Sequence, residues 1–222
     1  DLWWLARPAG LDAPLCDRVE MAAHEKLQDS LAQTEDAFAK AVYARFPGAL
    51  TPEASLVSTC LRVFGRELTP GYWQLRTEDL PASREAEQQA LAEELVVLGK
   101  RLGYQTAPRA PFDATWLAGG RVRAVFVVSW RAALSEAVAL TGRVGTAKPY
   151  LVIPGGRAAL MSYKLARNPL WQRALDEAEW RFIKYRHIRQ LMAQQEVDEY
   201  ALRTIVGLDP IVERESAQLS LF

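Results

Sequence analysis

Residues 121–130 (RVRAVFVVSW) are the segment that most constrains the fold of this chain. From Val122 to Val128 the run is almost continuously apolar, which is typical of a strand that is covered on both faces. A Gly119-Gly120 turn separates it from residues 112–116, and the two segments are predicted to pair as a hairpin. We therefore expect residues 121–130 to form the centre of a sheet.

The segments around this strand predict an α/β unit of the α+β type. Residues 132–141 are predicted to be a helix and residues 149–153 (PYLVI) a buried strand, and this order implies a parallel crossover. The other predicted elements are a helix at 83–103 capped by Ser83, a helix at 158–178 interrupted at Asn168-Pro169, a strand at 180–185 and a helix at 187–195. The unit therefore spans residues 83–195, and a C-terminal helix and tail is expected over residues 196–222.

Residues 1–78 are predicted to form a separate helical domain. Its elements are a helix at 17–31, a helix at 34–46 with a capping residue at its start, a helix at 51–67 and a short strand after Pro70-Gly71. In the third helix Thr51 is the expected N-cap and Pro52 the first helical residue. Three helices followed by a strand are the order of a winged helix.

The formal net charge is zero, but the charges are unevenly distributed. Residues 1–107 hold 11 lysines and arginines against 16 aspartates and glutamates, and residues 108–222 hold 16 against 11. The second half is therefore the better candidate for contact with phosphate, although a balanced total gives no support to strong nonspecific binding.

The chain has no apolar run near the roughly 20 residues that a membrane span requires, and its two cysteines lack metal-binding spacing. We expect a cytoplasmic protein with no membrane partner. The chain begins with DLWWLARP and no initiator methionine, and two adjacent tryptophans are costly to leave in water. The start is therefore expected to be internal to a longer polypeptide or covered by the rest of the domain.

The order of the predicted helices and strands resembles that of the PD-(D/E)xK restriction-endonuclease-like fold. The sequence segments that carry the resemblance are FDATW, FVVSW, YLVIPGGR and KYRHIR. Residues 1–190 are similar to C-terminal regions of bacterial DNA methyltransferases and of other restriction-modification or phage-defence proteins. In active nucleases the resemblance implies two carboxylates that hold Mg²⁺, which activates the attacking water, and a lysine that stabilises developing charge. Asp113 falls where the first acid belongs, but Val127 and Ser129 stand where the second acid and the lysine would follow.

The resemblance leaves an active Mg²⁺-dependent nuclease as an alternative. Glu136 on the following helix is the candidate for a migrated second acid, with Asp113 as the metal ligand, and Glu93 or Glu94 could also face the site. Lys148 or Lys164 could supply the positive charge. The other interpretation of Asp113 is a hydrogen-bonded acid in a tight loop, and no cofactor is then expected.

Basic residues are concentrated from residue 157 to residue 189, where eight lysines and arginines face three acids and aromatic residues are interleaved. The predicted nucleic-acid contacts are Arg62 and Arg66 on the third helix and Arg157, Lys164, Arg181, Lys184, Arg186 and Arg189 in the second half. Gly155-Gly156 before a helix could hold one phosphate. The alternative for residues 157–189 is a solvated helical face whose aromatic residues belong to the core. The alternative for the third helix is that it packs against a partner domain.

The chain ends in QLSLF, which resembles the pentapeptide that docks bacterial replication and repair proteins on the sliding clamp. The predicted partner-binding residues are Gln218, Leu219, Leu221 and Phe222. A few buried anchors can carry most of the affinity of such a peptide. The alternative is that these side chains fold back onto the core of the protein.

Three hypotheses follow. The first is a DNA-binding accessory module of a bacterial restriction-modification or phage-defence system, which positions a methyltransferase or another catalytic partner and itself lacks catalysis. The second is a Mg²⁺-dependent endonuclease that uses Asp113 and Glu136. The third is a structural module that binds another protein.

Overall fold

The structure is a computed structural model that describes residues 13–208. Over this part of the chain, helices pack around a three-stranded sheet and a five-stranded mixed sheet, which confirms the predicted α+β class. The first half contains, in order, α1 (Leu15–Gln28), β1 (Gln33–Thr34), α2 (Glu35–Ala44), α3 (Ala54–Phe64), β2 (Gly65–Thr69) and β3 (Tyr72–Leu75).

The first half has the order of a winged-helix unit, with three helices, a short strand between the first two and a hairpin after the third. The sheet is antiparallel with the order β1-β3-β2, and the β2–β3 hairpin turns at Gly71, whose φ is 81°. The sequence does not predict β2, because Gly65 is its one buried residue and the four that follow are exposed. Such a segment has no alternating pattern.

Arg66 was expected on the third helix and lies on β2 instead. Helix α3 ends at Phe64, and Gly65 takes extended backbone angles (φ −88°, ψ 151°). A Cβ atom at Gly65 would lie 2.6 Å from the carbonyl oxygen of Leu61, so no larger residue fits there. Arg66 therefore belongs to the hairpin and not to the helix.

Of the three N-capping residues predicted from the sequence, one caps its helix in the structure. Thr34 caps α2 as predicted, and its hydroxyl accepts a hydrogen bond from the Ala37 amide. Thr51 does not cap α3, because its hydroxyl donates to the Gly48 carbonyl at 2.8 Å and the helix begins three residues later. Ser83 does not cap α4, which begins with Pro81 in its first turn.

The second half forms the larger sheet and the helices on its two faces. Its elements are α4 (Pro81–Arg101), β4 (Gln105–Thr106), β5 (Ala114–Ala118), β6 (Arg121–Val128), α5 (Leu134–Leu140), β7 (Lys148–Ile153), α6 (Ala158–Arg167), α7 (Pro169–Glu177), β8 (Arg181–Lys184), α8 (Tyr185–Ala193) and α9 (Glu199–Thr204). The helix predicted at 158–178 is interrupted at Asn168-Pro169, as expected.

The larger sheet has the order β4-β5-β6-β7-β8, with β6 at its centre as predicted. Strands β5 and β6 form the expected antiparallel hairpin, and its turn uses Gly119 and Gly120 with φ values of 58° and 72°. Strands β6 and β7 are parallel and are joined through α5, which confirms the crossover, and β8 is parallel to β7. Strand β5 begins at Ala114, two residues later than predicted.

Hydrophobic clusters cover both faces of the larger sheet. Val125 and Val127 of β6 belong to a cluster with residues of α1, α5 and α6, and Phe126 and Val128 belong to one with residues of α4 and α8. The first cluster also contains Phe64 and other core residues of the winged-helix unit. The segments predicted as domains 1–78 and 83–195 therefore share one hydrophobic cluster.

Gly99 of α4 packs directly against the indole of Trp116, and a Cβ atom at this position would lie 2.5 Å from the indole nitrogen. Trp116 cannot withdraw easily, because it is 1 % exposed and its indole N–H donates to the Leu95 carbonyl. We expect Gly99→Ala to lower the free energy of unfolding by about 1–3 kcal/mol in urea denaturation, since overpacking outweighs helix propensity.

The matched control is Gly142→Ala, since nothing lies within 4 Å of a Cβ atom there. This substitution should change the free energy of unfolding by no more than about 0.5 kcal/mol. A stabilising effect of Gly99→Ala would mean that α4 and Trp116 are farther apart than described.

Within residues 13–208, no helix has the length and apolar character required to cross a membrane.

Candidate nucleic-acid interface

A buried ion cluster joins the winged-helix unit to the larger sheet. Lys164 of α6 is 0 % exposed, and its ammonium lies 2.7 Å from Asp17 Oδ1, 2.5 Å from Glu20 Oε2 and 2.8 Å from the Ala132 carbonyl oxygen. Burial disfavours the charged form of Lys164, but Glu20 and Asp17 outweigh this effect and hold its pKa above the ordinary value. The predicted contact of Lys164 with nucleic acid is wrong, because its ammonium is enclosed.

The same two carboxylates of α1 also fix the start of α5. Glu20 accepts a hydrogen bond from the Ala132 amide at 2.8 Å, and Asp17 accepts one from the Ser135 amide at 2.9 Å. The first amides of a helix lack partners within the helix, and a carboxylate is favoured beside them. Asp17 and Glu20 therefore bind both the crossover helix and Lys164.

A second buried ion cluster lies around Asp79, which is 0 % exposed in the connection between β3 and α4. Its Oδ1 atom accepts from Arg84 Nε at 2.7 Å and from the guanidinium of Arg157. Arg157 also donates to the Trp130 carbonyl, and its guanidinium lies 3.9 Å from the centroid of the Phe64 ring. Because Arg157 is 1 % exposed and fully engaged, the prediction that it contacts nucleic acid is also wrong.

A groove of about 490 Å³ opens beside this second cluster, where α3, the β3–α4 connection and the start of α6 meet. We call it the interdomain groove. The residues used to define it are Thr59, Arg62, Arg76, Asp79, Gly156 and Arg157. Four arginines and two acids contribute to its lining, so positive charge is in excess.

Two polar atoms in the interdomain groove have no hydrogen-bond partner within residues 13–208. They are Asp79 Oδ2 and Arg76 Nε, and both are buried. Buried polar atoms are rarely left unpaired, and such atoms in a groove are candidates for contact with a ligand or water. Arg62 is exposed at the same groove.

Arg186 extends the basic edge of the interdomain groove. It is exposed, and three of its side-chain atoms lie 3.8 Å from the position of a Cβ atom on Gly155, the residue before Gly156. Arg189, one helical turn farther along α8, is exposed but pairs with Glu87 at 2.9 Å and with Glu94. Arg186 is therefore more available to phosphate than Arg189.

Helix α6 covers the beginning of α3. The Tyr163 hydroxyl lies 2.6 Å from the Ser55 hydroxyl and donates to Glu53 at 2.9 Å, and Arg167 donates to Glu53 at 3.0 Å. Ser55, in the first turn of α3, is therefore engaged with the second half. The end of α3, with Arg62, borders the interdomain groove.

The other predicted basic contacts differ in their exposure. Arg66 is exposed on β2, Arg181 is half-buried at the start of β8, and Lys184 is 5 % exposed at its end. Of the predicted set, Arg62 is the exposed residue that lines the interdomain groove. Arg186 is exposed beside Gly155, and Arg66 is exposed on the hairpin that follows α3. Arg76 and Asp79 were missed, because they lie in a short polar connection with no recognisable pattern.

Asp113 and Glu136, the predicted nuclease residues, are held by different partners. Asp113 accepts a hydrogen bond from the Val128 amide at 2.7 Å, which ties the start of β5 to β6. Loss of surrounding water raises the pKa of Asp113, although its side chain stays open to solvent. Glu136 pairs with Arg131. The contacts of Asp113 thus support its interpretation as a hydrogen-bonded acid.

The residues around Asp113 do not fit Mg²⁺, which prefers several oxygen ligands. Val127 of β6 and Ser129, just after the end of β6, are buried. Within residues 13–208, no three or more histidine, cysteine, aspartate or glutamate side chains lie close enough to hold a metal ion. Glu94 pairs with Arg189, and Glu93 accepts from Gln89.

The predicted clamp-binding residues lie outside the described residues. They are Gln218, Leu219, Leu221 and Phe222.

No protein-family model matches the chain, and no curated protein matches it.

Proposed function

We propose that the chain is a DNA-binding accessory module of a bacterial restriction-modification or phage-defence system, and that duplex DNA lies along the interdomain groove. The observation that carries the proposal is that Arg62 and Arg76 line one groove from two separate segments, and that Arg186 of a third segment lies beside Gly155, next to the lining residue Gly156. Arginine suits phosphate because its guanidinium offers several donors in a planar fork. Arg66 on the adjoining hairpin would reach the backbone beside the groove.

The buried ion clusters favour a groove of fixed width. Lys164 with Asp17 and Glu20, and Asp79 with Arg157, connect the winged-helix unit to the larger sheet. A preformed groove does not have to order its walls when DNA binds, so less binding free energy is lost. The groove would read mainly the backbone, because α6 covers the beginning of α3.

In this proposal the nuclease-like unit has no catalytic activity. The protein acts in the cytoplasm and positions an attached or separate methyltransferase on DNA. The QLSLF segment would bind the sliding clamp. An immobilised clamp should retain the wild-type chain and release a variant with Gln218→Ala and Leu221→Ala.

Replacement of both Arg62 and Arg186 by alanine tests the groove. We expect the dissociation constant for a mixed-sequence duplex to rise about tenfold at about 50 mM salt. Between about 50 and about 200 mM salt, the slope of log K against log salt concentration should become shallower by about 2, because two phosphate contacts are lost. Fluorescence anisotropy measures both quantities.

The control removes the same charge elsewhere, through Lys40→Ala with Arg143→Ala. Both side chains are exposed and lie outside the groove. This variant should bind DNA like the wild type. Equal DNA binding by the two double variants would contradict the proposal that DNA lies along the interdomain groove. If the wild-type chain did not bind DNA at low salt, the protein-interaction hypothesis would be favoured.

A further inference from the structure

A second cleft lies at the opposite end of β7 from the interdomain groove. It encloses about 480 Å³, within the range of small-ligand sites. It borders Lys148 and Tyr150 at the start of β7, whereas the groove borders Gly156 beyond the end of that strand. We call it the sheet-end cleft and define it by Tyr104, Arg123, Lys148, Tyr150, Arg181 and Arg203.

The sheet-end cleft carries a strong excess of positive charge. Four cations line it, and Glu199 is the one acid among its lining residues. Arg203 pairs with Glu199 at 3.3 Å. Within residues 13–208, Arg123, Lys148 and Arg181 form no ion pair with an acid, so their charges are available to an anion.

Tyr150 adds a hydroxyl group to these cations. It is 5 % exposed, its ring stacks on Phe126 with centroids 5.0 Å apart, and its hydroxyl forms no hydrogen bond within the described residues. Burial raises the pKa of Tyr150, so the hydroxyl remains a proton donor at neutral pH. A hydroxyl without a protein partner at the wall of a basic cleft can donate a hydrogen bond to an anionic ligand.

Tyr104 contributes an aromatic surface to the same cleft. Its ring stacks on Trp116 with centroids 5.3 Å apart, and its hydroxyl donates to Glu199. Trp116 is itself fixed by the hydrogen bond to the Leu95 carbonyl. Tyr104 is half-buried, so part of the ring remains open for contact with a planar ligand. Bases stack on such rings whatever their sequence.

From this geometry we propose that the sheet-end cleft binds a nucleoside phosphate, with its phosphate at Lys148, Arg181 and the Tyr150 hydroxyl and its base against Tyr104. The ligand is a free nucleotide or the phosphorylated end of a nucleic-acid strand, since both have this chemistry. The inference does not depend on the proposed function, because the two sites lie at opposite ends of β7.

Isothermal titration calorimetry on the whole chain tests the inference. The probes are ATP, adenosine, inorganic triphosphate and a short oligonucleotide with either a 5′-phosphate or a 5′-hydroxyl end. We expect saturable binding of ATP or of the 5′-phosphorylated oligonucleotide, and much weaker binding of adenosine and triphosphate. Preference for ATP identifies a free nucleotide, whereas preference for the 5′-phosphorylated over the 5′-hydroxyl oligonucleotide identifies a strand end.

Two variants locate the binding. Lys148→Ala with Arg181→Ala should weaken the tighter probe about tenfold or more, since charge-assisted contacts are lost. Tyr150→Phe, which removes a single oxygen from the ring, should weaken it about threefold or more. The Arg62→Ala and Arg186→Ala variant should bind it like the wild type, which separates this site from the interdomain groove.

Circular dichroism confirms that each variant is folded. The proposal is overturned if neither ATP nor the phosphorylated oligonucleotide binds, or if Lys148→Ala with Arg181→Ala leaves binding unchanged. Triphosphate that binds as tightly as ATP would also overturn it, because the base would then make no contribution.

Discussion

Replacement of Lys164 by methionine is expected to lower the free energy of unfolding by about 3–5 kcal/mol. The substitution leaves Asp17 and Glu20, which are 3 % and 1 % exposed, without their buried cation. For a chain of this size the melting temperature should fall by roughly 10 °C. Urea and thermal denaturation followed by circular dichroism measure both changes.

Two controls separate the buried charge from packing. Arg167→Ala removes an exposed cation of the same helix, whose pairing with the exposed Glu53 should contribute little to stability because solvent screens it. Adding Glu20→Gln to Lys164→Met should recover part of the loss, because less uncompensated charge remains in the core. If Lys164→Met were as stable as the wild type, the ion cluster would not hold the two units together.

Replacement of Asp79 by asparagine is the second substitution with a large expected effect, about 3 kcal/mol of unfolding free energy. Asparagine has nearly the same shape but no charge, and it leaves Arg157 buried without a compensating anion, whereas Arg84 retains Glu87. The neighbouring control is Glu78→Gln, because Glu78 is exposed and lies 3.9 Å from Arg76. We expect the control to change stability by no more than about 0.5 kcal/mol.

Denaturation with urea decides this prediction as well. A loss similar to that of Glu78→Gln would show that Arg157 does not depend on Asp79. The interdomain groove would then lack the rigid wall on which its proposed fit to DNA depends.

The sequence predicts the larger sheet well because its signals are local. The apolar run of β6, the paired glycines before it and the proline at residue 169 each act on adjacent residues. Strand β2 has no such signal, since its exposed polar residues are held only by pairing with β3. The start of α3 was misjudged because the Thr51 hydroxyl bonds backward to the preceding turn.

The candidate site was less predictable, because charge alone does not reveal burial. The acids that pair with Lys164 are more than 140 residues away in the chain. One signal was present: Leu160, Met161 and Lys164 share a face of α6 at helical spacing, which places the lysine toward the core. Arg157 gave no comparable signal, since it follows a strand in a short turn.

The position of DNA on the protein is the most direct test of the account. Photocrosslinking to a duplex that contains bromodeoxyuridine, followed by mass spectrometry, identifies the peptides that contact the DNA. The account predicts crosslinks in residues 59–76, at Gly155-Gly156 and near Arg186. Crosslinks confined to α1, α2 or the sheet-end cleft would contradict it.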